Sequence, residues 1–86
     1  MKAYGYDRAN EEPEAPMELK EVSLQCTTEQ LDKMISFLNY VREHSVKHPV
    51  QYKEGECDHF HYRDWLKTWT KKESDFIILL VGDNGK

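Results

Sequence analysis

Thr27-Thr28-Glu29-Gln30-Leu31-Asp32-Lys33-Met34-Ile35-Ser36-Phe37-Leu38-Asn39-Tyr40-Val41 is the stretch that sets the architecture. Leu31, Met34, Ile35, Leu38 and Val41 recur at spacings of three and four, the period of one buried face of a helix. Phe37 and Tyr40 widen that stripe. Asp32, Lys33, Ser36, Asn39 and Glu43 fill the opposite face. With Thr27 as N-cap, Gln30 falls at the third helical position, where the two side chains cap each other's backbone N–H groups. Glu29 lies in the first turn and Arg42 and Lys47 toward the far end, each where the helix dipole favours its charge. Pro49 disfavours helical backbone at His48, so the helix ends by that point. One long helix of this kind is expected to cover one face of a sheet.

The strands are read outward from it. Met1–Tyr6 reads as a short strand with Tyr4 and Tyr6 on one face. Across Met17–Thr27, Val22, Leu24 and Cys26 alternate with Glu21, Ser23 and Gln25, the pattern of a half-buried strand. Leu19 breaks that parity, which calls for a bulge near Lys20-Glu21 or packing on the other face. Cys26 is expected in the core, as free cysteines usually are. A third strand is expected from Asp58 or His59 to Trp65. Leu66–Glu73 is ambiguous: Leu66 and Trp69 have helical spacing, whereas Thr68 and Thr70 favour extension. Asp75–Val81 is the last strand. Its run Phe76–Val81 is apolar without interruption, as in a strand buried on both faces. One helix covers one face only, so a second copy of the chain is the simplest cover for the other. The expectation is an α+β fold: a single domain over 1–86, with about four strands in a mainly antiparallel sheet, one long helix packed on one face, and the order β-β-α-β-β.

The chain has 86 residues and a net charge of −4. A nucleic-acid binder usually shows a Lys/Arg excess; here the basic clusters are short, such as Lys67 with Lys71 and Lys72. No nucleic-acid partner is expected, and the acidic balance favours a basic one. The loop at 7–16 carries Asp7, Glu11, Glu12 and Glu14 with Pro13 and Pro16. Its composition is that of a mobile, solvated segment, and Glu11, Glu12 and Glu14 are candidates to attract a basic partner. Two cysteines are too few for a disulfide scaffold. Met1–Asp7 lacks the apolar core of a signal peptide, and Phe76–Val81 is far too short to span a bilayer. A cytoplasmic protein with free thiols and no membrane partner is expected.

The chemistry concentrates in Cys57-Asp58-His59-Phe60-His61-Tyr62-Arg63-Asp64-Trp65. Read as a strand, it places Cys57, His59, His61, Arg63 and Trp65 on one face. Asp58, Phe60, Tyr62 and Asp64 take the other, with Phe60 and Tyr62 as the core pair under the helix. A His-x-His pair is able to converge on one metal ion, but zinc wants a third and usually a fourth ligand. Cys57 fits by parity and lies about 13 Å from His61 along a straight strand. Cys57 beside His59 also suggests a thiolate–imidazole pair, yet side chains two apart on a strand point in parallel. The metal or catalytic reading through Cys57, His59 and His61 is therefore the alternative. The leading one is a polar-aromatic binding face of His59, His61, Arg63 and Trp65, residue types that include those enriched in binding hot spots, with a core position for Trp65 as an equal alternative. No catalytic residue and no cofactor is expected.

Several short motifs carry a resemblance. Tyr4-Gly5-Tyr6, Leu19-Lys20-Glu21-Val22, the Glu29–Tyr40 helix with Phe37-Leu38, His59-x-His61-x-Arg63-Asp64 and Asp75-Phe76-Ile77-Ile78 together resemble a family of small α+β bacterial immunity proteins associated with polymorphic toxin systems. The resemblance spans nearly the whole chain, and the His-x-His stretch is its distinctive part. It implies a non-enzymatic cytoplasmic protein that neutralises a cognate toxin, often a nuclease, by protein–protein binding. An acidic inhibitor suits a basic nuclease site.

Overall fold

The computed structural model describes residues 1–9, 15–47 and 57–81. Its elements run β1 (Ala3–Gly5), β2 (Met17–Leu19), α1 (Thr28–Lys47), β3 (Cys57–His61), α2 (Tyr62–Trp65) and β4 (Ile77–Val81). The class is α+β with one long helix. The four strands do not form one sheet, however; they form two antiparallel pairs, β1–β2 and β3–β4.

The long helix starts where its cap chemistry places it. Gln30 N–H donates to Thr27 Oγ1 at 3.1 Å, and Thr27 N–H donates to Gln30 Oε1 at 2.8 Å. The buried stripe is rotated from the expected one. Phe37 and Val41 are buried and Met34 packs against them, whereas Leu31, Ile35 and Leu38 stay exposed. The aromatic side chains explain the rotation, because they bury the most area and dominate core energetics. The Phe37 ring lies 5.4 Å from Tyr62, 5.7 Å from Trp65 and 6.1 Å from Phe76, centroid to centroid. The helix is turned to bring its one phenylalanine to theirs.

β3 and β4 pair in the register His59↔Leu79, Phe60↔Ile78, His61↔Ile77. Phe60, Ile78 and Leu80 pack against the core. The alternate positions Ile77, Leu79 and Val81 are exposed. The last strand is therefore buried on one face, not two. Among the described residues its sheet has two strands, and α1 lies over one side.

β3 also ends earlier than the alternation suggests. After His61 the chain closes a helical turn, with Leu66 N–H donating to Tyr62 O at 2.8 Å. Tyr62 N–H is taken by Phe76 O at 2.8 Å, which ties the turn to the start of β4. The parity of the strand stops there, so Arg63 and Trp65 do not continue the face of His59. Tyr62 is buried and Phe60 half-buried, as a core pair should be. The ambiguous segment after it is neither strand nor extended helix. Two tight turns are closed by Trp69 N–H to Leu66 O at 3.1 Å and Glu73 N–H to Thr70 O at 3.0 Å, and Trp69 Nε1 donates to Ser74 O at 3.2 Å.

The first hairpin is a separate, smaller feature. β2 stops at Leu19, well short of the expected Thr27, and Val22, Leu24 and Cys26 are exposed. Extending the register of Ala3↔Leu19 would set Lys2 opposite Lys20, and like charges directly opposite destabilise a pair. Neither β1 nor β2 contributes to the core cluster. Residues 10–14 of the acidic loop, including Glu11, Glu12 and Glu14, lie outside the described residues, as does the connection between α1 and β3. Among the described residues no helix is long and apolar enough to cross a membrane.

Candidate functional site

The surface of interest is the side of the β3–β4 hairpin turned away from α1. His59 is exposed there, directly across from Leu79. His61 pairs with Ile77, and Cys57 holds the register position opposite Val81; the Cys57 side chain lies outside the described residues. The alternation of two short strands thus puts an exposed apolar row, Ile77, Leu79 and Val81, beside a row that carries two histidines.

One end of this face is fastened by Asp75. Its Oδ2 accepts from His61 Nδ1 at 2.8 Å. Its Oδ1 accepts from the backbone N–H of Arg63 at 3.0 Å and from its own neighbour Phe76 at 2.9 Å. Arg63 Nε stands 3.6 Å from Oδ2. An ionised carboxylate only accepts, so the pairing fixes a proton on His61 Nδ1. Burial alone would push the Asp75 carboxyl up. The bonds from His61, the Arg63 and Phe76 N–H groups and the charge of His61 outweigh it, and the carboxyl sits below its ordinary value. Asp75 thereby caps the α2 turn, whose N-cap His61 offers no side-chain bond of its own. It also pins β3 to the start of β4.

The expected recognition residues thus have different fates. His59 is free of the core. His61 is half-buried and held by Asp75. Arg63 is exposed on α2 and leans toward Asp75 and, at 3.9 Å, toward Asp64. Trp65 points the other way: it is half-buried, 5.7 Å from the Phe37 ring and stacked 6.0 Å from Tyr62. Its anchor is the core. Beneath it, burial pushes the Tyr62 hydroxyl up, with the negative charge of Glu73 adding to the effect.

A carboxylate that orients a histidine through Nδ1 is the support often given to acid–base or metal-ligating histidines. Here the same carboxylate also serves two backbone N–H groups, so the turn itself accounts for its position. Among the described residues no three His, Cys, Asp or Glu side chains gather into a group that could hold a metal ion.

Two parts of the site escape the sequence reading. Asp75 enters the sequence reading as the first residue of a strand and as part of the Asp75-Phe76-Ile77-Ile78 motif; its place between a turn and an apolar run is the sole signal that it caps something. The exposure of Leu79 leaves no signal, because an uninterrupted apolar run looks the same whether one face is covered or two. No protein-family model matches the chain, and neither a curated protein nor a solved structure matches it.

Proposed function

We propose that this chain is a non-enzymatic binding protein that neutralises a cognate bacterial toxin by docking on it, with the outer face of the β3–β4 hairpin as the contact surface. The observation that carries the proposal is the exposed row Ile77, Leu79 and Val81 beside His59. Contiguous apolar surface rimmed by polar groups is characteristic of protein–protein contact sites. The hairpin holding it is braced from behind by the aromatic core and at one end by Asp75, so the face is presented in a fixed shape, which lowers the ordering cost of binding. The net charge of −4 suits a basic partner. The motif resemblance supplies the class of partner, a toxin encoded beside the gene. In this reading the His61–Asp75 pair is a structural clasp and the protein blocks its target without chemistry.

The test is co-expression. Cells producing the neighbouring toxin should survive when the wild-type chain is present and die when His59→Glu and Leu79→Lys are combined in it. Both positions are exposed, so the double variant should keep its fold by circular dichroism. Survival that does not depend on this chain at all would end the proposal.

A further inference from the structure

The bond between His61 and Asp75 does more than hold the hairpin: it decides what the imidazole presents to solvent. Burial pushes Asp75 up, but the bonds from His61 and the Arg63 and Phe76 N–H groups bring it below its ordinary value, so it is an ionised carboxylate. A carboxylate only accepts, and His61 Nδ1, 2.8 Å from Oδ2, therefore carries a proton. In a neutral ring one nitrogen donates and the other accepts, which leaves Nε2 as a bare acceptor. Among the described residues Nε2 has no hydrogen-bond partner, and no buried side-chain nitrogen or oxygen is left unpaired. Nε2 thus reaches solvent, on a side chain that is 27% exposed. Across the register stands the exposed Ile77. The acceptor borders the apolar row at the end that Asp75 fastens.

The surroundings of the ring favour this role. A carboxylate on Nδ1 fixes the ring orientation and raises the basicity of Nε2. The carboxylate is itself held by the backbone N–H groups of Arg63 at 3.0 Å and Phe76 at 2.9 Å. Arg63 brings positive charge, but its Nε stands 3.6 Å from Asp75 and 3.9 Å from Asp64, which offset it. A group that fits beside Nε2 has a donor at its tip and an apolar stem to lie on Ile77. Lysine and arginine side chains have both, and the net charge of −4 favours a partner that carries them.

We propose that His61 determines specificity on the β3–β4 face, with Nε2 held by Asp75 as the acceptor for a lysine or arginine of the partner. The proposal rests on the reading of this face as the toxin-contact surface and names the group that the toxin brings to it. An NMR correlation of ring protons with ring nitrogens in the free chain, at about pH 8 and so above the range in which histidines take up a proton, should show His61 protonated at Nδ1 and bare at Nε2. Two substitutions then separate recognition from clasping. In His61→Asn the amide N–H, attached to the same Cγ, stands in for Nδ1–H, and nothing replaces Nε2. In His61→Gln the amide oxygen stands in for Nε2, and the bond to Asp75 is lost. His61→Asn should keep the wild-type denaturation midpoint and bind the proposed toxin partner about tenfold more weakly in calorimetric titration. His61→Gln should have the lower midpoint and the tighter binding of the two. A clasp without recognition gives the opposite order of affinities. The spectrum of the wild type reads the proposal even where a variant fails to fold. Wild-type affinity in Leu79→Lys would bring down the contact-face reading and this inference with it. A proton on Nε2, or tighter binding by His61→Asn than by His61→Gln while Leu79→Lys still loses affinity, overturns this inference alone.

Discussion

The two hairpins of this molecule have the same topology and very different support. β3–β4 is backed by Phe37, Val41 and Tyr62, braced by Trp65, Trp69 and Phe76, and fastened by Asp75. β1–β2 has three residues per strand and adds nothing to that cluster. Its cross-strand ion pair, Lys2 to Glu18 at 3.9 Å, is exposed on both sides. A hairpin alone is marginal in water, and packing against a helix is what makes one independently stable. The difference teaches that, among the described residues, stability comes from one aromatic cluster and the elements that touch it. The rest is carried along.

Breaking the strong side should have the largest effect. Phe37→Ala removes the side chain around which three other rings are arranged, and large-to-small changes of that kind cost about 3–5 kcal/mol. In a domain with three buried apolar residues among those described, that should abolish the cooperative unfolding transition in a thermal melt. Asp75→Ala comes next. It strands two backbone N–H groups and His61, at a cost of about 2–3 kcal/mol where hydrogen bonds to a charged group are lost. Chemical denaturation should show the midpoint falling.

The same carboxylate gives a pH signature. The folded chain holds Asp75 below its ordinary value, so the unfolded chain takes up the proton first as pH falls. Its contribution is complete above the ordinary aspartate value of about 3.9. It drains away as pH falls through that value toward the folded one. Stability of the wild type should therefore decline more steeply below about pH 4 than that of Asp75→Asn. Parallel curves would mean that the clasp carries no charge-dependent stability.

Smaller effects sharpen the comparison from the other side. Thr27→Ala removes half of the reciprocal cap and should cost about 1 kcal/mol. In β1, a Cβ on Gly5 would come within 3.0 Å of Leu19 Cδ1. Gly5→Ala should crowd the first hairpin alone, with hydrogen exchange quickening at Ala3–Gly5 and protection of β3–β4 unchanged. Lys2→Ala should change stability by less than about 0.5 kcal/mol, as exposed ion pairs do.

How much of this was legible in the residues follows from which forces act locally. The Thr27–Gln30 cap is a short-range pattern, and it appears where the spacing puts it. Phe60 and Tyr62 reach the core as their alternation implies. The buried helix face is rotated from the one the spacing predicts, because periodicity marks a broad apolar arc and only the distant rings of Tyr62, Trp65 and Phe76 select the part that is buried. The alternation of Val22, Leu24 and Cys26 has the right period for a strand, but no described strand pairs with it. The single four-stranded sheet failed for the same reason: strand pairing is decided by long-range partners that the local pattern does not name. His59 as an outward residue needed only parity within β3. Trp65 depended on where the strand ended, and that is set by Asp75, fourteen residues beyond His61.

The central claim is that the outer face of β3–β4 is a recognition surface. Calorimetric titration of the proposed toxin partner into the purified chain tests it most directly. The account predicts saturable binding by the wild type and at least a tenfold loss for Leu79→Lys, with its melting temperature within a few degrees of wild type. Wild-type affinity in Leu79→Lys would contradict it.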